Sequence, residues 1–206
     1  MDNMTQSTHI QIENVIKKKG RGKIIFSNDF SAFGTSIAVR HALSRLCKDG
    51  LVLRLAEGIY LYPKIDKELG LGVLYPSIDT IAKAIAKKDK ARIAPTGLYA
   101  LNRLGLSTQV PANAVYLTDG SPRRIKIGEG KGILFKRTVA KNLAFKSDLA
   151  MLIVFALKEI TKENVTREHL DRLKYVLRQA PKEEILRDVK LMPAWVRDLI
   201  VELMTR

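Results

Sequence analysis

The chain has 206 residues, 46% hydrophobic and 28% charged, a length that suits two small domains better than one large one because single cores typically serve about 100 to 150 residues. Its net charge of +15 points to a polyanionic partner drawn in by phosphate neutralisation, and no run approaches the roughly 18 apolar residues that a bilayer demands, which excludes a membrane protein. One cysteine, Cys47, excludes an internal disulfide, and His9, His41 and His169 lack ligand spacing, so no metal or other cofactor is expected.

The segment MDNMTQSTHIQIENVIKKKG places its charges after its apolar residues and has no uninterrupted apolar core. It fails as a secretory signal, and a cytoplasmic chain is expected. Ile12, Val15, Ile16 and Lys19 recur at helical spacing, and Gly20 and Gly22 stop the pattern, which predicts a first helix over Ile10 to Lys19. Lys23 to Phe26 is a short β-prone run. Ser27 or Asn28 then caps a short second helix ended by Gly34.

Thr35 or Ser36 caps the strongest helical signal, SIAVRHALSRLCKDG, whose apolar stripe is Val39, Leu43, Leu46 and Cys47. Its other faces carry Ser36, Arg40, His41, Ser44, Arg45 and Lys48, donors of the kinds that reach base edges and phosphates in a major groove. By itself such a face is as well explained by solvation, and a single exposed histidine such as His41 is ordinarily just that. After Gly50, the runs Leu51 to Leu55 and Ile59 to Tyr62, joined at Ala56, Glu57 and Gly58, read as a hairpin, with Pro63 ending its second strand. Helix, strand, helix, helix and hairpin is the order of a winged helix-turn-helix, in which the third helix enters the major groove and Arg54 on the wing touches flanking backbone. Cys47, on the apolar side, reads as a small core residue.

Ser36 through Pro63, SIAVRHALSRLCKDGLVLRLAEGIYLYP, resembles the N-terminal winged helix of the AbiEi-type antitoxins, with Leu43, Arg45, Leu46, Gly50, Arg54, Gly58, Tyr60 and Pro63 falling on that pattern. Packing explains the leucines and turning explains the glycines, whereas Arg45 and Arg54 have no packing need for charge. The resemblance implies an autorepressor that binds an inverted repeat in its own promoter. It also implies an antitoxin that counteracts a nucleotidyltransferase-like toxin through its C-terminal domain without a stable complex.

Beyond Pro63, Ile78 to Lys88 form an amphipathic helix with a basic outer face, built on Ile78, Ile81, Ala82 and Ile85. A short strand at Arg92 to Ala94 precedes a helix opened by Pro95 and Thr96, closed near Gly105, with Leu98, Leu101 and Leu104 inward. Ala114 to Thr118, Arg123 to Ile127 and Gly132 to Arg137 predict a small antiparallel sheet. GEGKG at 128 to 132 lacks phosphate-loop spacing and reads as a hairpin turn. From Ser147 the pattern is helical, with Ser147, Pro181 and Pro193 at helix starts.

Net charge is +4 over residues 1–63, +10 over 64–146 and +1 over 147–206, so most of the basic excess lies in the middle third. Arg123, Arg124, Lys126, Lys136 and Arg137 form a candidate second basic patch, either a nucleic-acid or acidic-partner contact or edge-strand charges that block aggregation. The expected architecture is α+β: a winged helix-turn-helix over 1–63, then a larger domain over 64–206 with a basic mixed part (64–146) and a helical part (147–206). No nucleophile with its base, carboxylate pair or metal-ligand cluster is recognisable, and Glu183 and Glu184 suit a helix dipole, so an enzyme is not expected. The expected function is a double-stranded-DNA-binding autorepressor and antitoxin. A plain winged-helix regulator and an RNA-binding protein are the alternatives, and the oligomeric state is open.

Overall fold

The computed structural model describes residues 7–128 and 130–205. Residues 1–6 of the segment weighed as a secretory signal, Glu129 of the glycine-rich turn, and Arg206 lie outside the described residues. The fold is α+β. Contacts divide the chain into two units, Met1–Ala84 with Ile125–Gly130, and Ile85–Arg124 with Lys131–Arg206.

In the first unit, α1 (Thr8–Lys19) is capped by Ser7 and buries Ile12 and Ile16. It is followed by β1 (Lys23–Phe26), a 3-10 helix (Ser27–Phe33), α2 (Ser36–Lys48), β2 (Leu53–Ala56) and β3 (Ile59–Tyr62). The expected short second helix is thus 3-10, and its start is tied by Asp29, whose carboxylate accepts from the Phe26 amide at 3.3 Å, instead of by Ser27 or Asn28. The Thr35 hydroxyl caps α2 by accepting from the Ala38 amide at 3.2 Å. The three strands form an antiparallel sheet in the order β1-β3-β2. Its core joins Ile12 and Ile16 to Ile25, Phe30, Val39, Leu43, Leu46 and Tyr60. Gly58, at φ +69°, allows the tight β2–β3 turn.

Two short strands that the sequence pattern does not announce follow Pro63: β4 (Lys64–Asp66) and β5 (Gly72–Leu74), paired antiparallel as a separate two-stranded sheet. The helix α3 (Ile78–Lys88) has the bounds its periodicity predicts.

The rest of the chain forms β6 (Ile93–Thr96), α4 (Gly97–Leu104), β7 (Asn113–Thr118), β8 (Arg123–Ile127), whose last three residues fall in the first unit, and β9 (Lys131–Arg137), then α5 (Asp148–Ile160), α6 (Arg167–Arg178), α7 (Lys182–Asp188) and α8 (Ala194–Thr205), which belong to the second. The sheet order is β6-β7-β9-β8. The expected antiparallel sheet is in fact mixed: β6 pairs antiparallel with β7, but β9 runs parallel to β7, with Tyr116 opposite Phe135. A parallel pair requires the chain to return to the starting end of β7 before β9 begins, and the segment that carries β8 makes that return. Two smaller expectations also change. Pro95 lies inside edge strand β6, where its missing amide is harmless, and Leu98 is 44% exposed while Ala100, Leu101 and Leu104 face inward.

The core of this unit is α5, which buries every residue from Ala150 to Leu157 and is therefore apolar on all sides. It packs on α4, β6 and α7. Two long-range polar contacts secure it. The buried Asp188 carboxylate accepts from the Lys146 and Ser147 amides at 2.8 and 2.7 Å, just ahead of α5. The Arg172 guanidinium on α6 donates to the Leu104 carbonyl at 2.7 Å, closing the end of α4 beside the left-handed Gly105.

Candidate nucleic-acid interface

Successive residues on a helix advance about 100°, so burying Val39, Ala42, Leu43 and Leu46 of α2 turns Ile37, His41, Ser44 and Lys48 directly outward. Arg40 and Arg45 flank that strip on opposite sides. Ser36, Arg40, His41, Ser44, Arg45 and Lys48 are all exposed, as is Arg54 on β2. Among the described residues, none of the four Lys and Arg side chains in this set makes an ion pair, and their charge is unspent within the fold.

The two sides of α2 border different depressions. On the Arg40 side, a cleft of about 600 Å³ is lined by Ser27, Asn28 and Ser31 of the 3-10 helix, by Ser36 and Arg40 of α2, and by Arg54 and Tyr60 of the hairpin. Arg54 stands opposite Tyr60 in register, beside a bulge between Arg54 and Ala56 that re-aims the strand. Burial pushes the Tyr60 phenol up, and the charges of Arg54 and Arg40, which line the same cleft, oppose that rise. On the Arg45 side, a shallow depression of about 620 Å³ joins Ser7, Thr8 and His9 of the start of α1 to His41, Ser44, Arg45 and Lys48. All seven residues expected to form the interface therefore lie on α2 or next to it.

Periodicity alone misses the residues supplied by neighbouring elements. Ile37 is 62% exposed in the first turn of α2, an apolar side chain of the kind that meets a thymine methyl. Asn28 and Ser31 arrive through the 3-10 helix, and Ser7, Thr8 and His9 arrive because the Thr8 hydroxyl donates to the Phe33 carbonyl at 2.8 Å, holding the start of α1 against the turn before α2. Cys47 is half-buried. Burial pushes its thiol up while Arg54 works the other way, which leaves it a poor nucleophile.

The second basic patch does not hold together as one surface. Arg124 and Lys126 are exposed on edge strand β8 and share a face by alternation. Arg123 points to the other face, pairs with Asp89 and lies over the Phe135 ring at 5.8 Å. Lys136 and Arg137 are adjacent on β9 and so point to opposite sides. His169 serves a local purpose, accepting from the Thr166 amide at 3.2 Å while its own amide donates back to the Thr166 hydroxyl. Glu183 and Glu184 occupy the first turn of α7, where negative charge is favoured.

Among the described residues no cluster of histidine, cysteine and carboxylate side chains could hold a metal ion, and no helix is long and apolar enough to cross a membrane. A family model matches residues 11–185, spanning both units. The chain belongs to the family of unknown function DUF6088. No curated protein matches the sequence. Among solved structures, the chain is similar to the RV2827C protein from Mycobacterium tuberculosis, with 12% identity, a TM-score of 0.43, and coverage of 94% of this chain and 74% of that one. That overlap is too loose to carry fold or function across.

Proposed function

We propose that the first unit is a winged helix-turn-helix and that this member of DUF6088 is a double-stranded-DNA-binding transcriptional regulator acting on its own promoter. The observation that carries the reading is the outer face of α2, with its exposed Arg40, Arg45 and Lys48 free of ion pairs among the described residues and Arg54 beside them on the hairpin. A helix presenting polar and guanidinium donors along one strip suits a major groove, and a hairpin arginine one strand away suits the flanking phosphates. The sheet order β1-β3-β2 supports it, because Arg54 then sits on edge strand β2 and lines the same cleft as Arg40 of α2. The test is a gel shift of the full chain on the DNA upstream of its own gene against a scrambled duplex of equal length. A retarded band that survives scrambled competitor is expected, and equal competition by both duplexes defeats the regulatory reading.

The proposal extends to antitoxin activity on the strength of the resemblance over Ser36 to Pro63. Co-expression with a neighbouring nucleotidyltransferase-like gene tests this part: growth rescue is expected, and toxicity unrelieved by the full chain leaves a plain regulator.

A further inference from the structure

We propose that the chain forms a two-fold dimer by pairing β4 of one copy with β4 of a second copy, giving a four-stranded sheet in the order β5-β4-β4-β5. The hairpin is incomplete as it stands. Two strands of three residues with no third strand form a sheet too small to be stable in water, and among the described residues neither outer edge has a ladder partner. Its surface is also unusually apolar, with Leu69 76% exposed, Tyr75 68% and Leu71 63%, and Ile65 exposed beside them.

Charge selects a second copy as the occupant. The protein carries +15 overall, so self-association through most of its surface is repulsive, yet residues 64–75 carry Lys64 and Lys67 against Asp66 and Glu68 and are neutral. Antiparallel pairing of β4 about Ile65 places Lys64 of each copy opposite Asp66 of the other and sets the two Ile65 side chains side by side. Within each hairpin Ile65 already stands opposite Val73, so the joined sheet gains one apolar strip of four residues. Pairing through β5 instead, Gly72–Leu74, brings no such complementarity. Asp66 Oδ1 accepts from the Leu69 amide at 2.8 Å, and among the described residues its other carboxylate oxygen has no partner, which leaves it for this contact.

The inference goes beyond the DNA-binding reading and is tested without DNA, so either can fail alone. Light scattering behind size exclusion, run over a dilution series of the full chain, is expected to show a dimer that dissociates on dilution. Lys64→Glu, an exposed substitution that sets like charges opposite each other twice, is expected to weaken the dimer at least tenfold with an unchanged Tm. A Cys47→Ser, Ile65→Cys double variant is expected to cross-link to itself under mild oxidation, because residues directly opposite in antiparallel strands lie within disulfide reach. Cys47→Ser, Tyr175→Cys, exposed on α6, supplies the background rate. A wild type that stays monomeric at every concentration, a dimer indifferent to Lys64→Glu, or cross-linking at Ile65→Cys no faster than at Tyr175→Cys each overturns the proposal.

Discussion

Replacing Arg40, Arg45 and Arg54 together with alanine removes three guanidiniums that are exposed and, among the described residues, unpaired. Surface changes that break no internal contact usually move stability by no more than about 0.5 kcal/mol each, so the variant is expected to melt within a few degrees of the wild type. Binding should respond very differently. Each phosphate neutralised adds about 0.9 to the slope of log affinity against log salt, so three lost contacts flatten that slope by about 2.7, a roughly 40-fold smaller loss of affinity between about 50 and 200 mM salt. Fluorescence anisotropy on a labelled promoter duplex across that salt range measures the slope, and a thermal melt checks the fold. A variant with wild-type Tm and wild-type slope would refute the assignment of these arginines to phosphate contact. A flattened slope with undiminished preference for the promoter would move sequence reading to Ile37, His41 and Ser44.

If Arg124 and Lys126 touch a nucleic acid, changing both to alanine flattens the same salt slope by about 1.8, whereas an unchanged slope assigns them to edge protection on β8. Asp188→Ala leaves the Lys146 and Ser147 amides without their acceptor and is expected to cost at least about 2 kcal/mol, read as a clear drop in Tm, with Asp188→Asn losing less. Asp119 links strands β6 and β7: burial pushes its carboxyl up, but the Arg92 amide at 2.7 Å and guanidinium at 2.9 Å outweigh this and hold it below its ordinary value. A depressed folded value stabilises the protein above the unfolded carboxylate pKa of about 3.9 and is lost as pH falls through the folded value, so the Tm gap between wild type and Asp119→Asn should close below about pH 4. A gap that persists in stronger acid would place its origin elsewhere.

Elements whose apolar period is local were legible in the sequence. The bounds of α3 and β8 follow from their residues alone, and the outward set on α2 follows from 100° per residue once Val39, Leu43 and Leu46 are taken as inward. The β4–β5 hairpin was not legible, because Ile65, Leu69, Leu71 and Leu74 are exposed and so give no alternation between a wet and a dry face. The parallel pairing of β7 with β9 is a matter of strand order, which no window of periodicity contains. The same limit applies at the sites. Arg123 reads as one of five similar cations until Asp89, thirty-four positions away in the chain, is found beside it. Ser7 and Thr8 come beside the proposed interface through the hydrogen bond from Thr8 to the Phe33 carbonyl.

The carboxylate of Asp188 also sets where the second unit can be cut. The family match stops at residue 185, three positions short of it. A fragment trimmed to the matched segment would lose the acceptor for the two amides ahead of α5, together with Met192, Val196 and Ile200, which fill the same core. The shortest segment able to fold around α5 therefore runs through α8, and a fragment ending near 185 is expected to be protease-sensitive however faithfully it follows the family boundary.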